Sequence, residues 1–352
     1  MDIKRLSHSS MSCAKTCLRM YQLRYVHGLV KRKIETPLYV GSLFHLGLEL
    51  GEVPEKPDEP EWLGMDGDYD DDKYKNDCDY YLGAAMIRAY LEYWSDDKVE
   101  TIKTEWEFAQ AIHNPASSGV SRNFRSAGKV DKIVKIPDGR LAIMEYKTTS
   151  SDLDPSGVFW RKLCMDQQIS HYMLAALQEK IEVETILYDV TRRPGLRPKM
   201  IPSLDAEGLK IVLDGDGVRV YNKDGKKPRQ TGGDGMTVQT AAETPQAFGL
   251  RVFEKMSSNP EEFFCRREIP RLESDLVEYR YELWQQQKML NECYRNDFWY
   301  RNTGACFKWN KPCAYFDICT SGIEFTEGDA APLGFKFKRQ HAELSAPEGG
   351  TE

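Results

Sequence analysis

Gly128-Lys129-Val130-Asp131, a reversal at Pro137-Asp138-Gly139-Arg140, and then Ile143-Met144-Glu145-Tyr146-Lys147 form the stretch that decides the fold. Residues 127–136 and 141–148 read as strands, and the Pro-Asp-Gly-Arg segment folds one back on the other as a hairpin. Side chains alternate faces along a strand, so Glu145 and Lys147 share one face while Met144 and Tyr146 take the other. Depending on the length of the turn, Asp131 stands across from Glu145 or from Tyr146. Two carboxylates and one ammonium then converge at one end of the hairpin. Hard carboxylate oxygens at that separation suit Mg²⁺ or Mn²⁺. Such an ion polarises a phosphodiester and lowers the pKa of bound water, and the lysine can orient that water or stabilise developing charge. Alone, the same three residues fit a solvated hairpin with a Glu145–Lys147 salt bridge, so other segments must decide.

Outward from the hairpin the periodicity changes. Residues 7–26 read as helical, with Leu18, Tyr21, Tyr25 and Val26 at near-helical spacing and Ser7, Ser9 and Ser10 as candidate caps. A shorter helix is expected over 41–50 and another over 80–94. Between them, residues 53–79 are acidic and contain proline, as an exposed insertion would. A strand is expected over 104–111, a helix over 166–180 and a strand over 181–190. Residues 192–242 read as a loop-rich insertion with room for a small hairpin. Helices follow over 245–256 and 272–294. The expected architecture is α/β, a mixed sheet flanked by helices in one domain over 1–322, with a disordered tail over 323–352.

The 352 residues are 41% hydrophobic and 29% charged, which excludes a mainly disordered chain. No run approaches the length of a membrane span, and Met1 to His8 lack the apolar stretch of a secretory signal, so a cytoplasmic protein is expected. Net charge is −7, yet residues 1–35 hold 8 basic and 2 acidic side chains, and residues 55–80 hold 3 and 11. Screening keeps such fields local, so the overall acidity neither requires nor forbids a nucleic-acid partner. Arg19, Arg24, Lys31, Arg32, Lys33, Arg122 and Arg125 are candidates for phosphate contacts. Trp106, Tyr294, Trp299, Tyr300 and Trp309 are candidates for stacking on bases. Nine cysteines without a secretory signal favour free thiols or a metal site over disulfides.

Asp131 followed by Glu145-Tyr146-Lys147 resembles the nuclease motif of the RecB-like PD-(D/E)XK superfamily. Gly41-Ser42-Leu43-Phe44-His45 resembles that family's upstream G-x-x-x-H, and Gln168-Ile169-Ser170-His171-Tyr172 its downstream Q-x-x-x-Y, in the same order. The resemblance implies that His45, Asp131 and Glu145 hold Mg²⁺ or Mn²⁺. It gives Lys147 the attacking water, and Gln168 and Tyr172 a position beside the site. Spacing of four sets Gln168 and Tyr172 on one helical face, as that requires.

Cys17-Leu18-Arg19-Met20-Tyr21 is similar to the N-terminal C-P-x-x-[FY] of family members that carry an iron–sulfur cluster, among them the AddB subunit and CRISPR-adaptation exonucleases. There one cysteine precedes the core and three follow it. The resemblance therefore implies a [4Fe–4S] site on Cys17, Cys306, Cys313 and Cys319, with zinc as the lesser fit to four soft thiolates. Two departures stand out: Leu18 replaces proline, and Cys306 and Cys313 are separated by six residues rather than two. Cys13 rivals Cys17, and spacing alone cannot separate them. The implied function is an exonuclease acting on DNA, chiefly single-stranded ends, in a bacterial, archaeal or phage-infected cell. A recombination or CRISPR-adaptation protein partner and an oligomer are compatible with it. The alternative is a non-catalytic iron–sulfur DNA-binding or recombination-partner subunit.

Overall fold

The computed structural model describes residues 3–61, 63, 68–222, 225–323, 330–341 and 344. After β1 (Lys4–Leu6) the helical region expected over 7–26 is broken. α1 (His8–Thr16) ends at Cys17, whose backbone is extended at φ −166°, and α2 (Leu18–Tyr21) runs into a π-helical turn, Gln22–Val26. Ser7 caps α1 by accepting from the Ser10 amide. β2 (Leu29–Lys31) follows, then α3 (Thr36–Leu50), which has proline in its first turn and stops at left-handed Gly51.

α4 (Tyr69–Tyr93) begins well before the expected residue 80. Asp68 accepts from the amides of Asp70 and Asp71, and Asp70, Asp71 and Asp72 fill the first turn, where the helix dipole favours negative charge. Much of the acidic run is therefore a helix start rather than an insertion, while residues 62 and 64–67 lie outside the described ones.

β3 (Glu100–His113), β4 (Val120–Lys135), β5 (Leu141–Thr149) and β6 (Val183–Arg192) build the sheet, with α5 (Val158–Leu163) and α6 (Gln167–Gln178) between the last two. Pairing is antiparallel for β3–β4 and β4–β5 but parallel for β5–β6 and β1–β4, so the sheet is mixed as expected. The segment over 192–242 carries four short strands rather than one hairpin: β7 (Met200–Pro202), β8 (Val212–Leu213), β9 (Thr237–Val238) and β10 (Thr240–Ala242). α7 (Pro245–Ser258) and α8 (Pro260–Phe263) lead to β11 (Phe264–Glu268), the antiparallel neighbour of β6 and the sheet's edge.

α9 (Glu273–Asn296) crosses to the C-terminal part. There β12 (Phe307–Lys308), β13 (Lys311–Pro312), α10 (Phe316–Ser321) and β14 (Phe335–Phe337) follow. The expected disorder over 323–352 does not hold throughout, because β14 pairs antiparallel with β2. Residues 324–329, 342–343 and 345–352 of that tail lie outside the described ones.

Alternation along β5 separates two cores. Met144 and Tyr146 pack with α3, α4 and α7 through Phe44, Ile87 and Val252, whereas Ile143 packs with α5 and α6 through Trp160 and Ile169. Helices therefore cover both faces, and Glu145 and Lys147 lie on the α6 side. His171 pins that layer. Its Nδ1 accepts from the Tyr279 hydroxyl at 2.8 Å, and its Nε2 donates to the Ala127 carbonyl at 3.1 Å. Burial lowers its pKa to about 4.

The unfolded chain takes up a proton at the ordinary histidine value while the fold does not. The stability His171 contributes is thus complete above about pH 6.5 and falls by about 3 kcal/mol toward pH 4. Urea unfolding of wild type over that range is expected to show this slope, and His171→Gln, which keeps a donor and an acceptor, to flatten it.

Candidate active site

The β4–β5 ladder ends at the Lys132–Met144 pair, one step before Asp131 and Glu145. Beyond it the Tyr146 amide donates to Asp131 Oδ2 at 2.9 Å, so the carboxylate takes the place of a ladder carbonyl and is held at the mouth of the opening strands. His45 arrives from α3 with Nδ1 3.5 Å from Asp131 Oδ1.

On the other side, Lys147 Nζ donates to Glu145 Oε1 at 2.8 Å and to Gln168 Oε1 at 2.5 Å. Gln168 Nε2 donates to Glu145 Oε1 and to the Tyr172 hydroxyl, each at 2.8 Å, and that hydroxyl donates to the Lys129 carbonyl at 2.9 Å. Asp166 sets the start of α6 by accepting from the Gln168 amide at 3.0 Å. The six expected residues His45, Asp131, Glu145, Lys147, Gln168 and Tyr172 thus form one connected cluster.

Its electrostatics are unbalanced. Glu145 is 4% exposed, and its second oxygen, Oε2, is buried with no hydrogen-bond partner. Burial, and then the negative charge of Asp131, push the Glu145 carboxyl up to about 7 against the pull of Lys147 and His45. Burial opposes the charged form of Lys147, but the combined pull of Glu145, Asp166 and Asp131 outweighs it and raises the ammonium's pKa. Burial likewise opposes the charged form of His45, but the hydrogen bond and charge of Asp131 together with the charge of Glu145 raise its pKa. An orphaned carboxylate oxygen beside a second carboxylate and an imidazole is a donor set suited to a hard divalent cation. Among the described residues no three His, Cys, Asp or Glu side chains are gathered around a single point for an ion. The donors are instead closed on one another, Lys147 on Glu145 and His45 on Asp131.

Sequence reasoning missed His8 and Asp166. His8 Nε2 lies 3.6 Å from Asp166 Oδ1, and burial lowers its pKa against the attraction of Asp166 while the charge of Lys147 adds to the lowering. Only the packing of α1 on α6 brings them together, and no spacing in the sequence signals it.

The cysteines expected to act together line a second place, although among the described residues they are not gathered as a ligand set around one point. Cys17, Cys306, Cys313 and Cys319 line one small cavity with Met20, Tyr315 and Phe316. The six residues between Cys306 and Cys313 are the β12–β13 hairpin, and the Cys313 amide donates to the Cys306 carbonyl at 2.7 Å. The long gap is therefore a looped-out finger that returns the chain to where it left. The helix break at Cys17 separates the rivals: Cys17 lines the cavity and its Sγ accepts from the Asn302 amide at 3.4 Å, whereas Cys13 packs with the core around Tyr21 and is pushed by burial up to about 12.

Several expected DNA contacts are spent internally. Arg125 donates to the Ser121 and Phe124 carbonyls, Arg32 to that of Phe335, and Lys33 pairs with Asp72. Trp106 and Trp299 are buried, whereas Tyr300 and Trp309 are exposed.

A carboxylate pair and lysine on a splayed hairpin thus stand beside a helical histidine and a helical Gln–Tyr pair within a mixed sheet, the grouping that the nuclease resemblance implies. In agreement, the family model of the PD-(D/E)XK nuclease superfamily matches residues 5–320, and the chain belongs to that superfamily of metal-dependent nucleases. No curated protein matches the chain. Among the described residues no helix is long and apolar enough to cross a membrane.

Proposed function

We propose that this chain is a RecB-like DNA exonuclease that hydrolyses phosphodiester bonds at single-stranded ends with Mg²⁺ or Mn²⁺. The observation that carries the reading is the buried, unpartnered Oε2 of Glu145 beside Asp131 and Lys147. His45, Asp131 and Glu145 would hold the ion, whose chemistry is to polarise the phosphodiester and acidify bound water. Lys147 positions the attacking water with its ammonium. Gln168 holds both Lys147 and Glu145, and Tyr172 fixes Gln168 through the Lys129 carbonyl. The motif order and the match over 5–320 support the nuclease class, and preference for ends is the finer part of the proposal.

End-labelled linear single strands, linear duplex and closed circles, incubated with either cation, test that finer part. Loss of label from linear strands with circles spared supports an exonuclease. Cut circles make the enzyme an endonuclease. Binding without cutting returns the non-catalytic subunit in its place.

For the second site we propose a [4Fe–4S] cluster on Cys17, Cys306, Cys313 and Cys319, acting as a clasp between the two ends of the chain. Four soft donors lining one cavity support it. Closing so long a loop restricts the unfolded chain, so the clasp acts mainly as a structural element and needs no redox chemistry. Anaerobically purified wild type is expected to be brown. Cys17→Ser is expected to lose the iron and unfold several degrees lower, and Cys13→Ser to keep both. Iron retained in Cys17→Ser, or zinc in colourless wild type, contradicts the assignment.

A further inference from the structure

The finger between Cys306 and Cys313 does more than close a gap. Its two-residue connection, Trp309-Asn310, has both backbones left-handed, at φ 53° and 59°. That is the geometry of a type I′ turn. Asparagine suits such a turn, but a bulky aromatic there is an outlier, held at an energetic cost. Trp309 gains nothing from burial in return, being 89% exposed.

Directly below the turn Lys308 pairs with Lys311 across the two strands. Like charges facing one another across a hairpin destabilise it unless an anion lies between or over them. Among the described residues neither lysine makes an ion pair. The base of the finger is fixed, because the Phe307 ring meets Phe316 at 4.9 Å and the Cys313 amide bonds the Cys306 carbonyl.

We propose that this hairpin is a nucleobase-stacking finger for single-stranded DNA, with Trp309 against a base and Lys308 and Lys311 on the adjoining phosphates. The proposal rests on the nuclease reading for the class of polymer and adds where the strand is held. An exposed indole between two cations matches the alternation of π-face and phosphate in a single strand, whose bases are free to stack outward. Lysine is depleted at protein–protein interfaces, so two unpaired lysines flanking the aromatic argue against a protein partner.

The test is fluorescence anisotropy of a labelled oligothymidylate with the full chain and no added divalent cation. Trp309→Gly is the informative variant, because glycine adopts the left-handed turn freely and its thermal midpoint should equal or exceed that of wild type. Its affinity is expected to fall about ten-fold, within the range of one lost stacking contact. Trp309→Phe is expected to keep most of the binding. Joint Lys308→Gln and Lys311→Gln replacement is expected to weaken binding and reduce the log–log salt slope by about 1.4. Trp309→Gly binding within two-fold of wild type overturns the finger. If wild type still cleaves DNA in that case, the nuclease reading stands without it. A wild type that neither binds nor cuts removes both.

Discussion

Asp131→Asn and Glu145→Gln are each expected to lower the cleavage rate at least about a thousand-fold, with the DNA affinity of the metal-free protein nearly unchanged. Each replacement removes a negative donor from a place where geometry is already fixed. The Asp131 carboxylate is tied to the Tyr146 amide, and Glu145 is held by Lys147 and Gln168. A ligand that binds only the folded state stabilises it by mass action. Wild type should therefore melt higher with millimolar Mn²⁺, and either variant should lose most of that gain. Thermal melts with and without Mn²⁺, run beside single-turnover cleavage, check both halves. A Glu145→Gln enzyme that cuts within ten-fold of wild type would remove Glu145 from the chemistry.

Arg266→Ala should produce the largest loss of stability. On β6, directly beside Tyr146 in the parallel register, Asp189 is fully buried. Arg266 on β11 donates to it at 2.7 Å, to Asp97 at 2.6 Å and to the Tyr90 hydroxyl at 3.2 Å, and its guanidinium lies 3.6 Å over the Trp94 ring. Removing the arginine leaves a buried carboxylate with one oxygen already unpartnered. Breaking a buried pair in this way costs about 3–5 kcal/mol, whereas replacing both members by apolar residues costs far less. Urea unfolding should show that loss for Arg266→Ala and a partial recovery when Asp189→Leu is added to Arg266→Met. Activity should fall with it, because the pair lies behind the strand whose amide orients Asp131. A loss under about 1 kcal/mol would contradict the coupling.

The central hairpin was legible because alternation and a Pro-Asp-Gly-Arg reversal act locally, and Asp131, Glu145 and Lys147 inherit their common end from it. The spacing of four sets Gln168 and Tyr172 on one helical face, but only the resemblance to the family's Q-x-x-x-Y singled them out, since alone they read as ordinary residues of an amphipathic helix. What escaped the sequence depends on tertiary contact. β11, with Phe-Cys-Arg-Arg-Glu, has no clean alternation and is a strand only because β6 offers an edge. Three residues of β14 pair with β2 across nearly the whole chain length, far beyond any local signal. The aspartates at 70–72 read as a solvated run, although the same charge serves a helix start once Asp68 is seen to cap it. The break at Cys17 and the finger at 307–312 likewise interrupt patterns rather than make them. The break that turns Cys17 toward the cavity and the finger that returns Cys313 to Cys306 were therefore invisible beforehand. His8 meets Asp166 only through the packing of two helices.

The most direct measurement is single-turnover cleavage of a labelled linear single strand by wild type and Lys147→Ala, with Mg²⁺ or Mn²⁺ and with binding measured in parallel. The expected result is metal-dependent cleavage by wild type and a loss of about 10²–10⁴-fold in the variant at comparable affinity. Equal cleavage by the two proteins, or binding by wild type without cleavage under either cation, would contradict the assignment of this hairpin as the catalytic centre.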